Sequence, residues 1–123
     1  MKTTFMAGII IGVMLVVAGC GSNNAAQLEI GRQIYNTGGA SSVPCVTCHT
    51  LDGSTLVGPS FKGLKDRAGS RVPGMSAEDY IRQSIVDPSA FIVDGFQNQM
   101  YKEYAKTLTD EQINGLVAFL MAQ

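Results

Sequence analysis

The sequence Cys45-Val46-Thr47-Cys48-His49 constrains this chain more than any other feature, because it sets two thiols three positions apart directly before an imidazole. This C-x-x-C-H spacing is typical of covalent haem attachment. Two thiols at this separation reach the two vinyl groups on one porphyrin edge, and the adjacent histidine reaches the iron. The motif therefore predicts one haem c, bound through Cys45 and Cys48 with His49 as an iron ligand.

Three other kinds of site use paired cysteines: a redox-active dithiol, a zinc site and a structural disulfide. A thioredoxin-like dithiol opens a helix after a strand, and no strand pattern precedes Cys45. Structural zinc sites have four Cys or His ligands, and the chain has no second Cys or His pair besides the motif. A disulfide alone leaves the position of His49 unexplained. The motif therefore favours haem over each alternative.

The N-terminal segment has the pattern of an export signal. Residues 1–19 carry one charge, that of Lys2, and an apolar run. The run is shorter than the ~20 residues of a membrane-spanning helix. It ends at residues 17–20 in Val-Ala-Gly-Cys, which resembles the lipobox of bacterial lipoproteins. The resemblance implies cleavage after Gly19 and a lipid on Cys20. The alternatives are an ordinary secretory signal and an uncleaved short anchor, and each places the remaining residues outside the cytoplasm.

A short polar stretch separates Cys20 from the rest of the chain. We predict that residues 20–26 are a lipid-anchored linker and that residues 27–123 are one folded domain. When extended at ~3.4 Å per residue, the linker spans about 20 Å. The domain is therefore expected beside a bacterial membrane, on its extracytoplasmic, periplasmic side.

The charge of the exported part excludes one class of partner. Removing residues 1–19 takes one lysine from the 9 basic residues and none of the 10 acidic ones, which leaves a formal charge of −2. No basic block or interleaved aromatic stripe is present. Nucleic-acid binding is therefore not expected.

Hydrophobic spacing and capping signals predict an all-α domain of four to five helices with long loops. The predicted helices cover residues 26–36, 60–66, 76–86, 101–105 and 109–120. Ser76 is expected to cap the third helix, and a capping box from Thr109 to Gln112 opens the last one. A small domain with such long loops has few apolar side chains for a core, so a buried haem supplies volume that it otherwise lacks.

His49 is the only histidine in the chain, so a second protein ligand for the iron must be another residue type. Methionine is the strongest candidate. Met75 and Met121 adjoin predicted helices, where methionine usually fills gaps in a core. Met100 lies on a predicted loop, from which it can fold over the open haem face. The sequence therefore predicts His49 and Met100 as iron ligands.

Other residues extend the pattern around the haem motif. Gly31 and Tyr35 lie on the first predicted helix, and Leu116 and Phe119 lie on the last. Together with the motif they resemble class I c-type cytochromes, in which these two helices cross at close range. The resemblance covers residues 28–120 and implies the small cytochrome c fold around one haem.

Further details of the resemblance concern the two faces of the haem. Gly58-Pro59 resembles the family segment whose proline carbonyl accepts the second N–H of the ligating histidine, which implies a haem-binding role for Pro59. Residues 85–111 are most similar to cytochrome domains fused to oxidase subunit II and to lipoprotein cytochromes of respiratory or photosynthetic complexes. The chain departs from the family at Met100, because Gln99 and Tyr101 flank it where proline is common.

These features predict one-electron transfer between membrane redox partners, and no enzymatic activity. The implied partners are a quinol-oxidising complex, a terminal oxidase or a photosynthetic reaction centre, with the chain as subunit or close associate. Met/His coordination raises the reduction potential and fills both axial positions of the iron. The alternative is a haem enzyme or gas sensor with an exchangeable sixth position. That alternative requires Met100 off the iron and a distal acid–base group, for which no second histidine exists.

Overall fold

The computed structural model describes residues 21–123, so the predicted signal peptide and the predicted lipid site at Cys20 lie outside the described residues. Between residues 21 and 123 there are five α-helices, two short 3₁₀ turns and no strand. The helices are α1 (Gly21–Thr37), α2 (Leu64–Ala68), α3 (Ala77–Val86), α4 (Tyr104–Thr107) and α5 (Asp110–Leu120), and the 3₁₀ turns are Gly39–Ser41 and Cys45–Thr47. The predicted all-α class with four to five helices is confirmed. No helix in this part of the chain is long and apolar enough to cross a bilayer.

Helices α1 and α5 form the most extensive helix pair and the centre of the core. On α5, an apolar stripe that includes Leu116 and Leu120 is buried, as its spacing predicts. On α1, Ile34 and Tyr35 are buried against it. The ring of Tyr35 packs on that of Phe119 with centroids 5.5 Å apart. Burial of these apolar faces is the main source of stability for the pair.

Two helices begin at the caps that the sequence predicts. The Ser76 hydroxyl accepts a hydrogen bond from the Asp79 backbone N–H at 3.1 Å. At α5, the Gln112 N–H donates to the Thr109 hydroxyl at 3.2 Å, and the Thr109 N–H donates to the Gln112 side chain at 3.0 Å. These bonds satisfy backbone donors that have no partner within the helix.

Three predicted boundaries differ from the structure. Residues 21–26, expected to be an extended linker, form the first turns of α1. Ala25 and Ala26 are strong helix formers, which favours this longer helix. Helix α2 begins at Leu64, four residues later than predicted, because Ser60 and Lys62 use their carbonyls to accept from Arg67. Helix α4 likewise begins late, at Tyr104.

Two long connections bring distant parts of the chain together beside the helix pair. The connection from α1 to α2 carries the C-x-x-C-H motif, and the connection from α3 to α4 carries Met100. We refer to residues 89–103 of the second connection as the Met100 segment. Both connections border the same cavity, and residues of α3 and α5 form its inner wall.

Candidate functional site

The C-x-x-C-H motif is wound into a tight turn. Cys45–Thr47 is a 3₁₀ turn, and the backbone N–H groups of Cys48 and His49 both donate to the Cys45 carbonyl, at 3.1 and 2.9 Å. Residues three apart are eclipsed in 3₁₀ geometry, so the two thiols lie on the same side of the turn. Both are free and line the cavity. Burial raises the pKa of the Cys45 thiol to about 11.

His49 is held in one orientation. Its side chain is buried, with the residue 8% exposed. Its Nδ1 lies 2.8 Å from the Pro59 carbonyl oxygen. A carbonyl only accepts, so Nδ1 carries the proton and Nε2 keeps its lone pair. Burial lowers the pKa of His49, against the opposing effect of the Pro59 carbonyl. The ring is therefore neutral, which is the form that binds a metal.

The imidazole is also packed closely by two residues of the segment that follows the motif. The Phe61 ring stacks on one face with centroids 4.3 Å apart and planes 13° from parallel. Gly58 also lies against the ring, where an added Cβ would overlap the imidazole. The Gly58 N–H donates to the Cys48 carbonyl at 2.9 Å, which ties this segment to the motif. The ring therefore has little room to rotate.

Two buried tyrosines hold the backbone at the two ends of the motif. The Tyr35 hydroxyl donates to the His49 carbonyl at 2.8 Å. The Tyr104 hydroxyl donates to the Val43 carbonyl, also at 2.8 Å. Burial raises the pKa of both phenols, so both remain protonated donors at neutral pH. These two bonds and the Phe61 stack were not predicted from the sequence, since no local pattern indicates contacts between residues so distant along the chain.

Beside the motif lies a cavity of about 390 Å³, within the size range of small-molecule and cofactor sites. Its apolar walls come mainly from α3 and α5 and from the Met100 segment. The apolar wall residues of the two helices are Tyr80, Ile81, Ile85, Leu116 and Leu120. The cavity is therefore mostly hydrophobic, with a few polar side chains in its lining.

The predicted site residues meet in this cavity. Its lining includes Cys45, Cys48, His49, Pro59 and Met100. The other two methionines of the described residues, Met75 and Met121, pack against the core and do not line the cavity. Within residues 21–123, no group of three or more His, Cys, Asp or Glu side chains is arranged to hold a metal ion.

The charges in the lining complement a dianionic group. Arg67 and Arg71 are in the lining, while no Asp, Glu or Lys is. Arg67 donates to the carbonyls of Ser60 and Lys62. Within the described chain, Arg71 has no side-chain hydrogen bond or ion pair. Haem carries two propionates on an otherwise apolar ring system. Together with the two thiols and the oriented imidazole, these residues fit haem c.

Comparison with known proteins agrees with this geometry. No curated protein sequence matches the chain significantly. The family model described as cytochrome c matches residues 28–123, which is most of the chain. This chain therefore belongs to the cytochrome c family, and its cofactor is haem c, held covalently at the Cys45–His49 motif.

Proposed function

We propose that this chain is a membrane-tethered, monohaem one-electron carrier in which His49 and Met100 are the two axial iron ligands. Membership of the cytochrome c family already indicates an electron-transfer haem protein. One observation carries the finer proposal: His49 and Met100 reach the same cavity from two different connections of the fold. With both residues on the iron, the bound haem would have no open position for a substrate or gas, which suits a carrier of electrons.

Different residues around the cavity hold different parts of the cofactor. When bound, haem c supplies an iron that takes up and releases one electron. Cys45 and Cys48 would hold the porphyrin through thioether bonds, and His49 would offer Nε2 to the iron. The Pro59 carbonyl fixes the histidine ring and increases its basicity. Met100 contributes a thioether, which favours the reduced state and raises the potential.

Charge and burial support the same assignment. The buried core side chains keep water from the haem faces, and a water-poor surrounding strengthens electrostatic interactions with the bound group. Arg67 and Arg71 offset the two propionate charges. Arginine is suited to this task because its planar fork matches a carboxylate.

Membrane tethering is supported by the sequence before the described residues. The likeness of residues 17–20 to a lipobox implies a lipid on Cys20. Because residues 21–26 are helical, they span about 9 Å at 1.5 Å per residue, less than an extended linker. A tether of this length keeps the domain beside the bilayer. Suitable partners are therefore membrane complexes, such as a quinol-oxidising complex, a terminal oxidase or a reaction centre.

Exposed apolar side chains beside the motif suit brief docking with such partners. Val46 lies inside the motif and is 39% exposed, and Leu56 and Val57 are 50% and 53% exposed. Val57 also lines the cavity. An apolar rim next to a cofactor is typical of interaction sites. Electrons therefore pass to a partner that covers this edge.

Absorption spectroscopy tests the ligand assignment. We expect the ferric protein to show a methionine-to-iron charge-transfer band and the reduced protein to resist carbon monoxide. In Met100→Ala the band disappears, carbon monoxide binds and the reduction potential falls. Met75→Ala serves as the matched control and keeps all three properties. Rapid carbon monoxide binding by the reduced wild type overturns the carrier proposal in favour of a haem enzyme or gas sensor.

Solubilisation in a mild detergent tests the partner class. We expect the haem-loaded chain to co-purify with subunits of a respiratory or photosynthetic complex and to be reduced or oxidised by that complex. Purification of the chain alone from membranes, with no electron exchange with any such complex, contradicts complex membership while leaving the ligand assignment intact.

A further inference from the structure

Among the described residues, residues 91–102 of the Met100 segment are attached to the rest of the domain by side-chain packing, such as the edge-to-face contact of Phe91 with Tyr80, and not by hydrogen bonds. None of residues 89–103 is fully buried, although both of its neighbours, Pro88 and Tyr104, are. Within the described chain, residues 91–102 form hydrogen bonds only inside the segment, for example between Asn98 and Ser89. Segments with few buried contacts and only local hydrogen bonds are the ones that open without global unfolding.

Tyr104 provides the first long-range tie after this segment. Its residue is 3% exposed, and its hydroxyl donates to the Val43 carbonyl, 61 positions away, at 2.8 Å. Val43 lies two residues before Cys45, so the bond joins the end of the Met100 segment to the haem attachment motif. The Tyr104 ring also contacts Tyr101, the neighbour of Met100, edge to face at 4.9 Å between centroids.

We propose that Tyr104 is a positioning residue that keeps the Met100 segment closed over the cavity through its hydrogen bond to Val43. This inference rests on the proposed ligation of iron by Met100. The bond links two parts of the chain that otherwise share no hydrogen bond, since the segment's own bonds are local. Breaking it lowers the cost of moving Met100 away from the haem, and both proposed iron ligands, His49 and Met100, are unchanged; Tyr104 itself lines the cavity.

Imidazole binding to the ferric haem-loaded protein measures the free energy of moving Met100 away from the iron, because imidazole binds only where Met100 has left it. We expect Tyr104→Phe to bind imidazole about fivefold more tightly than the wild type. That ratio corresponds to about 1 kcal/mol at 1.4 kcal/mol per tenfold, the net contribution of one hydrogen bond. The apparent affinity rises because the open state is more populated.

Tyr101→Phe is the matched control, because it removes a hydroxyl that has no hydrogen bond within the described residues while keeping the ring contact. Its imidazole affinity is expected to equal that of the wild type. Equal affinities for Tyr104→Phe and the wild type overturn the inference, even if the melting temperature of Tyr104→Phe falls. Absence of the methionine charge-transfer band from the wild type instead contradicts the proposed function.

A measurement on the wild type keeps the inference testable if Tyr104→Phe does not retain haem. The backbone N–H groups of Lys106 and Thr107 both donate to the Glu103 carbonyl, beside Tyr104. If Tyr104 releases Val43 when the segment opens, saturating imidazole accelerates hydrogen exchange at these two amides and leaves α5 unchanged. Unchanged exchange at both amides overturns the inference.

Discussion

The backbones of Gly31 and Gly115 meet where α1 crosses α5, because neither residue has a side chain to hold the helices apart. A Cβ on Gly31 would overlap the Gly115 carbonyl oxygen. A Cβ on Gly115 would lie 2.7 Å from Cγ2 of Ile30, well inside the ~3.5 Å at which carbon atoms normally touch. The central helix pair therefore depends on the absence of two side chains.

We expect Gly31→Ala to destabilise the haem-loaded protein by roughly 1–3 kcal/mol, the usual cost of overpacking a close contact. The methyl group must separate the helices or displace Phe119, and either change reduces burial in the core. Chemical denaturation followed by far-UV circular dichroism measures the loss of unfolding free energy.

Gly69→Ala is the matched control for this prediction. Gly69 has an ordinary φ of −69°, and a Cβ there would lie 3.7 Å from the Ala77 backbone nitrogen, a normal contact. Its effect is expected within about 0.5 kcal/mol of zero, as for most surface changes. Equal losses in the two variants contradict the close-contact explanation.

Helices with strong local signals were predictable from the sequence, and those shaped by distant contacts were less so. The capping patterns that begin at Ser76 and Thr109 each span four consecutive residues, so they can be recognised in the sequence. Helices α3 and α5 accordingly begin where expected. The start of α2 depends on Arg67 taking two loop carbonyls. Side-chain to backbone contacts of this kind leave no periodic pattern, and the prediction near residue 60 was early for that reason.

The candidate site likewise divides into features with a local sequence signal, which were predictable, and contacts between distant residues, which were not. The C-x-x-C-H motif and the single histidine indicated the haem side of the cavity, and loop placement selected Met100 from the methionines. The tie from Tyr104 to Val43 joins residues 61 positions apart, and only the folded chain brings them together. The lining arginines were also missed, because clustering of charge depends on tertiary structure.

Gly58→Ala is expected to alter the iron's electronic surroundings. The added Cβ overlaps the His49 ring, and the ring is already stacked closely on Phe61. Strain is therefore relieved by shifting the segment that carries the Pro59 carbonyl, which weakens its bond to Nδ1. A weaker bond lowers the basicity of the ligand, so the ferric state is less favoured and the reduction potential rises.

Spectroelectrochemical titration of Gly58→Ala checks this prediction, with Gly69→Ala again as the control. We also expect a stability loss of roughly 1–3 kcal/mol from overpacking. A stability loss with an unchanged potential contradicts the predicted effect on the Pro59 bond, because it means that the histidine keeps its orientation.

Cys20 provides the test of the membrane tether, since it is the cysteine outside the haem motif. If residues 17–20 are a lipobox, mass spectrometry of the membrane-derived protein finds an N terminus at Cys20 that carries diacylglycerol. In Cys20→Ser the lipid is absent and residues 1–19 remain, while the haem absorption spectrum is unchanged because Cys45, Cys48 and His49 are intact.

Stable attachment to a bilayer generally needs two or more acyl chains, so the processed wild type resists extraction by salt and dissolves in detergent. A wild type cleaved without a lipid identifies an ordinary secretory signal, and a wild type that retains residues 1–19 identifies an uncleaved anchor; either result contradicts the lipoprotein prediction.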